Sequence, residues 1–241
     1  MQKPQNIIII GASSGIGREL ALRYGNTPGI HLGVVARRVE LLEELAKQVS
    51  ATCEIRQINM ADDDRGEKFK SLLAAFDTID LIIYASGYGE INPELEWPLC
   101  RETLEVNVSG FTEIINLSYR ALASQKCGQL AVISSIGGLR GFEDDSGYSA
   151  SKSYQTTYME GLARKAKKER SGVTTSTILP GFVDTAMAKG DKFFWMCSPA
   201  AAAECIIRGL QRRSRYIFVT RRWRIIALLL RLLPHRIFER M

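Results

Sequence analysis

The run Asn6-Ile-Ile-Ile-Ile10, followed at once by Gly11-Ala-Ser-Ser-Gly15-Ile-Gly17, constrains this chain more than any other feature. Four consecutive β-branched residues suit a strand buried on both faces, as in the middle of a parallel sheet. The closely spaced glycines permit a tight turn and let a ligand approach the backbone. The next residues, Arg18-Glu-Leu-Ala-Leu-Arg-Tyr24, read as a helix. Strand, glycine turn and helix in that order make an anion cradle, because backbone N–H groups and the positive helix end face one point. The order points to the pyrophosphate of a dinucleotide, lined by Gly11, Ser13, Ser14, Gly15, Ile16 and Gly17.

A second strand, Ile30 to Ala36, ends in Arg37-Arg38, and Arg37 lies twenty residues beyond Gly17. An acid near this point would bind a free ribose diol, whereas arginine suits a 2′-phosphate. No acid lies between Ile30 and Val39. The expected cofactor is therefore NADPH/NADP+ rather than NADH, with Arg37 and Arg38 on the phosphate.

Strand and helix patterns alternate along the whole chain. Strands are expected near 6–10, 30–36, 53–58, 79–84, 129–134, 173–179 and 216–219. Helices are expected near 15–25, 38–49, 62–76, 100–126, 148–170 and 199–211. This alternation predicts an α/β fold: a single-domain, Rossmann-type, doubly wound parallel sheet of seven strands with helices on both faces. The 241 residues suffice for one such domain, placed at 1–220, with a basic, apolar helical extension at 221–241.

Gly147-Tyr148-Ser-Ala-Ser-Lys152 carries the chemistry. Residues four apart share one helix face. A lysine ammonium there would bias the tyrosine hydroxyl toward ionisation. Bringing a phenol from about 10 down by roughly 3 units takes about 4 kcal/mol, much of which a desolvated cation can supply.

With these residues in hand, the chain resembles the short-chain dehydrogenase/reductase family over about 6–220. Gly11, Gly15 and Gly17 match its Gly-x-x-x-Gly-x-Gly motif. Asn107 matches the asparagine of its catalytic tetrad, and Ser135 stands thirteen residues before Tyr148, as its catalytic serine does. Pro180-Gly181-Phe-Val183-Asp-Thr185 matches the loop that holds the nicotinamide. The resemblance implies hydride transfer between the cofactor and a carbonyl or alcohol carbon. Tyr148 would be the proton donor or acceptor, and Ser135 would bind the substrate oxygen. Lys152 would tune Tyr148 and hold the nicotinamide ribose, and Asn107 would position a water that relays protons to Lys152. Val183 would meet the carboxamide through its backbone, and Thr185 would lie near the nicotinamide or phosphates. A homodimer or homotetramer through 100–126 and 148–170 is also implied.

The chain departs from the family pattern in places. Ile10 stands before the first glycine, where threonine is frequent. Tyr84-Ala85-Ser86-Gly87 replaces the usual Asn-Asn-Ala-Gly, a segment that supports the adenosine ribose and the central sheet. Asn59-Met60 stands where an aspartate commonly touches adenine, so that contact falls to Asn59 or Asp62. A nucleotide sensor without turnover, or a membrane-docked scaffold, is the alternative, but neither needs both Tyr148 and Lys152.

Two stretches bear on substrate and partners. Phe193, Phe194, Trp195 and Met196 form an apolar cluster after Thr185. They either line a pocket for an apolar, lipid-like ketone or alcohol, or simply pack the lid. From Gln211 to Met241 there are nine arginines and one glutamate, +8 against a total of +6, so the preceding 210 residues carry −2. A slightly acidic body with a basic end does not fit a nucleic-acid-binding domain. Within 221–241 the arginines and Trp223 flank an apolar run too short to span a bilayer. This segment would lie in a membrane interface, on a partner subunit or over the pocket. Five cysteines, no CxxC and no N-terminal signal fit a reducing, cytoplasmic location, with peripheral membrane contact through 221–241 as the possible addition. No metal-ligand pattern is present in the sequence.

Overall fold

The computed structural model describes residues 5–186 and 194–240. Seven strands form one parallel sheet in the order β3-β2-β1-β4-β5-β6-β7. They are β1 (Gln5–Ile10), β2 (Ile30–Ala36), β3 (Thr52–Gln57), β4 (Leu81–Tyr84), β5 (Gln129–Ile133), β6 (Thr174–Pro180) and β7 (Tyr216–Val219). The doubly wound α/β fold read from the sequence is present.

The isoleucine run has a direct physical reason. Ile8 and Ile10 enter the core on one face of the sheet, and Ile7 and Ile9 enter the core on the other. Side chains alternate along a strand, so a strand covered on both faces must be apolar throughout. β4 repeats the pattern, with Ile82 and Tyr84 on one side and Leu81 and Ile83 on the other.

The first face is covered by α3 (Arg65–Leu73), α5 (Phe111–Ser124) and α6 (Ser146–Glu169). The second is covered by α1 (Gly15–Gly25), α2 (Val39–Ala46) and α7 (Pro199–Gln211). The expected helix at 100–126 begins earlier, as α4 (Trp97–Leu104), and runs into α5 through a π-helical segment, Glu105–Gly110. α2 and α3 are shorter than the expected 38–49 and 62–76. Past β7 lie α8 (Trp223–Leu232) and α9 (His235–Phe238).

Strand order reverses between β1 and β4. The loops leaving those two strands therefore splay apart into the crevice where open α/β sheets bind ligands. Everything described next lies at that edge.

Candidate active site

Gly11 has φ +89°, and a Cβ there would lie 2.6 Å from the Ser86 nitrogen. The loop after β1 is thus pressed onto the Ala85-Ser86-Gly87 loop after β4, and Ala85 donates its N–H to the Ile10 carbonyl at 2.7 Å. A Cβ on Gly17 would lie 2.2 Å from the Gly11 carbonyl oxygen. Gly15 has φ +55°, and its would-be Cβ lies 3.2 Å from the Thr185 Cγ2. The cradle needs all three glycines, for backbone conformation or for close approach, and Thr185 closes its far side. Ile16 packs on the second core, so only its backbone faces the loop.

Arg38 donates to the Ser13 and Ser14 hydroxyls at 3.2 and 3.0 Å. Arg37 is exposed and lies 3.7 Å from Glu102. Of the two arginines, Arg38 is the one on the cradle. Asn59 is tied to its own turn: its amide donates to Asp62 at 2.9 Å, and its oxygen accepts from the Ala61 N–H. Met60 is a core side chain, so the expected cofactor contact there can use only its backbone.

The departures after β4 are satisfied locally. The Tyr84 hydroxyl donates to the Val106 carbonyl, and burial raises its pKa further out of range. Asn107 is fully buried and grips the same loop. Its oxygen accepts from the Tyr88 N–H at 2.8 Å, and its amide donates to the Tyr88 carbonyl at 2.7 Å and to Ser151 Oγ at 2.9 Å. The Asn107 side chain therefore pins the loop after β4 to α6.

Ser135 stands two residues past β5 and accepts from the Gly137 N–H at 3.0 Å. It also hydrogen-bonds Tyr148 on the first turn of α6, which favours the phenolate. Its neighbour Ser134 anchors the strand end to α6, donating to the Lys152 carbonyl at 2.8 Å. Gly89 lies against the Tyr148 ring: a Cβ there would stand 2.6 Å from Cδ2.

One expectation is corrected. The sequence reading had Lys152 depress the Tyr148 pKa. Instead desolvation pushes the phenol up to about 12, with Ser135 pulling down and Asp145 pushing up. The reason is where the lysine points. Its ammonium donates to the Ile133 carbonyl at 3.2 Å and to Gln155 Oε1 at 3.1 Å, and lies 5.6 Å from the Tyr148 ring centroid. Burial pulls Lys152 itself down to about 8. A second expectation, a water between Asn107 and Lys152, meets a side chain. Gln155, wholly buried, donates its amide to the Asn107 carbonyl at 3.0 Å while accepting from Lys152.

The loop after β6 behaves in two ways. Val183 forms a bridge with Cys197 that uses the Asp184 N–H and the Phe182 carbonyl, leaving Val183's own backbone groups outside that pairing. Pro180 ends β6 opposite Val219. Gly181, expected at the cofactor, packs on Trp223, whose indole would lie 2.0 Å from a Cβ there.

A family model described as short chain dehydrogenase matches residues 5–192. The chain belongs to the short-chain dehydrogenase/reductase family. An uncharacterized oxidoreductase of Myxococcus xanthus is 27% identical to this family member over 240 residues, covering 96% of this chain and 94% of that one. A short-chain dehydrogenase from Sphingobium yanoikuyae, solved in complex with NADPH, superposes with a TM-score of 0.81 at 20% identity, covering 92% of each chain. A bulky-bulky ketone specific alcohol dehydrogenase from Comamonas testosteroni superposes with a TM-score of 0.77 at 18% identity, covering 96% and 95%. At these identities the superpositions establish the fold. The family is one of NAD(P)-dependent oxidoreductases.

Gln155 and Gly89 of this family member were not named in the sequence reading, and the packing of Trp223 on Gly181 was not foreseen there. Gln155 sits three residues after Lys152, so the spacing that flags Tyr148 and Lys152 could also have flagged it. Gly89 and Trp223 act across the fold and leave no local signal. Phe193, expected in the lid, lies outside the described residues. Phe194, Trp195 and Met196 are exposed, and the rings of Phe194 and Trp195 lie against Trp223.

Proposed function

We propose that the chain is an NADPH-dependent reductase of apolar ketones, running also as the corresponding alcohol dehydrogenase. The observation that carries this reading is the Ser135–Tyr148 pair held beside Lys152 at the strand edge that carries the glycine cradle. When bound there, the nicotinamide supplies the hydride that goes to the carbonyl carbon.

The protein's part is proton supply and orientation. A phenol raised to about 12 is fully protonated at neutral pH, the state required to donate a proton to a carbonyl oxygen. Ser135 then stabilises the charge that develops on that oxygen. An acid–base role in the reverse direction needs the phenolate, which the Ser135 hydrogen bond favours. Arg38, with Arg37 beside it, supports the choice of NADPH, because a guanidinium fork suits a phosphate dianion. Backbone groups of Val183, left outside its bridge with Cys197, suit the carboxamide contact. The exposed Phe194, Trp195 and Met196 support an apolar substrate. A homo-oligomer through α5 and α6 remains part of the proposal, supported by an open groove of about 370 Å³ on α6 beside Tyr154, Tyr158 and Gly161.

The test is a fluorescence titration with NADPH and NADH, followed by turnover on ketones of rising chain length, with Tyr148→Phe as control. NADPH-dependent turnover that improves with chain length and disappears in the variant is the expected result. Tight NADPH binding with no turnover on any carbonyl would move the chain to the sensor reading. Preference for NADH would refute the role given to the arginines.

A further inference from the structure

Helix α8 is apolar on two opposite faces. At 3.6 residues per turn, Trp223, Ile226, Ala227 and Leu230 share one face, and Ile225, Leu228, Leu229 and Leu232 share the other. The first face is the one the fold uses. Trp223 and Ala227 are buried against Ile136 and Leu179, with Phe182 and Ile226 packed around them. Arg140, from the loop after Ser135, donates to the Leu230 carbonyl at 2.7 Å and to the Leu233 carbonyl, and lies over the Phe238 ring of α9. The helix is thus docked and tied at both ends.

Among the described residues the second face has no such use. Its four side chains are 56 to 70% exposed. Single exposed leucines are ordinary, but a stripe of four at i, i+3, i+4 and i+7 on a helix already docked by its other side is not. Arg224 and Arg231 flank the stripe, both exposed, and Arg221 and Arg222 stand at the helix start. Phe194 and Trp195 extend the apolar surface at that end. Both rings pack on Trp223, and Arg222 lies over the Trp195 ring at 5.8 Å.

We infer that this face docks the protein on an anionic lipid surface, with the leucine stripe in the acyl boundary and the arginines on headgroup phosphates. Charge decides between this occupant and a second copy. From Cys205 to Phe238 the chain has no carboxylate, while it carries nine arginines from Gln211 to Met241. A two-fold interface sets the same patch against itself, so arginines would meet arginines with no acid to offset them. A bilayer rich in anionic lipid removes that repulsion and attracts each arginine near its surface. The helix lies in the interface and does not cross, because its ten residues span only about 15 Å. Among the described residues no helix is long and apolar enough to cross a membrane. The docking stands without the enzyme reading. Joined to it, docking sets residues 194–196 at the acyl boundary, where apolar ketones concentrate.

The experiment is cosedimentation of the full chain with liposomes of phosphatidylcholine alone and of phosphatidylcholine with phosphatidylglycerol. The variants are Leu228→Gln with Leu232→Gln, and Arg224→Gln with Arg231→Gln. Expected are binding that requires phosphatidylglycerol, a loss of about tenfold or more in the leucine pair, and a smaller, salt-dependent loss in the arginine pair. Brominated acyl chains should quench tryptophan fluorescence of the unaltered protein, a readout that survives if a variant fails to fold. Absence of binding to anionic liposomes overturns the inference. So does binding that is unchanged in the leucine pair while gel filtration shows an oligomer breaking up, which would assign the face to a second copy.

Discussion

Replacing Gln155 by leucine tests how a buried ammonium is held. Lys152 is almost wholly buried, and its two protein acceptors are the Ile133 carbonyl and Gln155 Oε1. Its pKa, near 10.5 when solvated, stands at about 8 in the fold. A lysine whose folded pKa is depressed opposes folding while protonated. That opposition is full below about pH 8 and is relieved as pH rises toward 10.5. At about 1.4 kcal/mol per pKa unit, it amounts to about 3 kcal/mol at neutral pH. A hydrogen bond to a charged group is worth about 1.5–3 kcal/mol, so Gln155→Leu should lower the Lys152 pKa by a further ~1 to 2 units. The variant should therefore be less stable than the parent by about 1.5–3 kcal/mol where both lysines are charged. This part of the difference should vanish above pH 8, where both are neutral. Gln155→Glu should shift the pKa the other way, because a carboxylate favours the ammonium. Urea unfolding across pH 6 to 9.5, with Lys152 followed by NMR of ε-labelled lysines, reads both effects. A destabilisation that is the same at every pH, with Lys152 titrating as in the parent, would refute the assignment. It would reduce Gln155 to a packing residue.

Further outcomes follow from single contacts. Gly17→Ala puts a methyl 2.2 Å from the Gly11 carbonyl oxygen, so NADPH affinity in a fluorescence titration should fall by about tenfold or more; unchanged affinity would refute the cradle. Gly89→Ala pushes on the Tyr148 ring, so turnover should drop by about 10²-fold while NADPH affinity holds; equal loss in both would refute a positioning role for Gly89. Arg38→Ala removes the bonds to Ser13 and Ser14 and should weaken NADPH more than NADH, and parallel losses would remove it from the phosphate site. Trp223→Ala empties the space above Gly181 and should cost about 3–5 kcal/mol in urea unfolding; a cost under about 1 kcal/mol would mean that α8 is not a structural part of the domain.

Much of the fold is legible because its signals are local. Ile7 to Ile10 must be apolar at every position if helices cover both faces of β1, and they are. Gly11 and Gly15 occupy positive φ, which a sequence can announce because other residues rarely go there. Tyr148 and Lys152 are four apart on one helix, so their shared face follows from the period alone. A helix was legible near 100–126, but its earlier start at Trp97 and its π-helical segment were not. The extra residue in that turn matters through a partner on α6, 48 residues away.

Sequence alone determined that a strand, a glycine turn and a helix follow one another over residues 6–24, that arginines follow β2, and that a tyrosine and a lysine share a helix face. These depend on backbone conformation and on spacing within a few residues. Tertiary structure decided where the lysine points, what sits between it and Asn107, and which arginine reaches the cradle. It also decided that Gly181 serves Trp223 and that α8 spends only one of its two apolar faces on the fold. Each of those outcomes is a competition among distant groups for the same buried acceptor or the same space. Only packing of the whole chain settles which group wins.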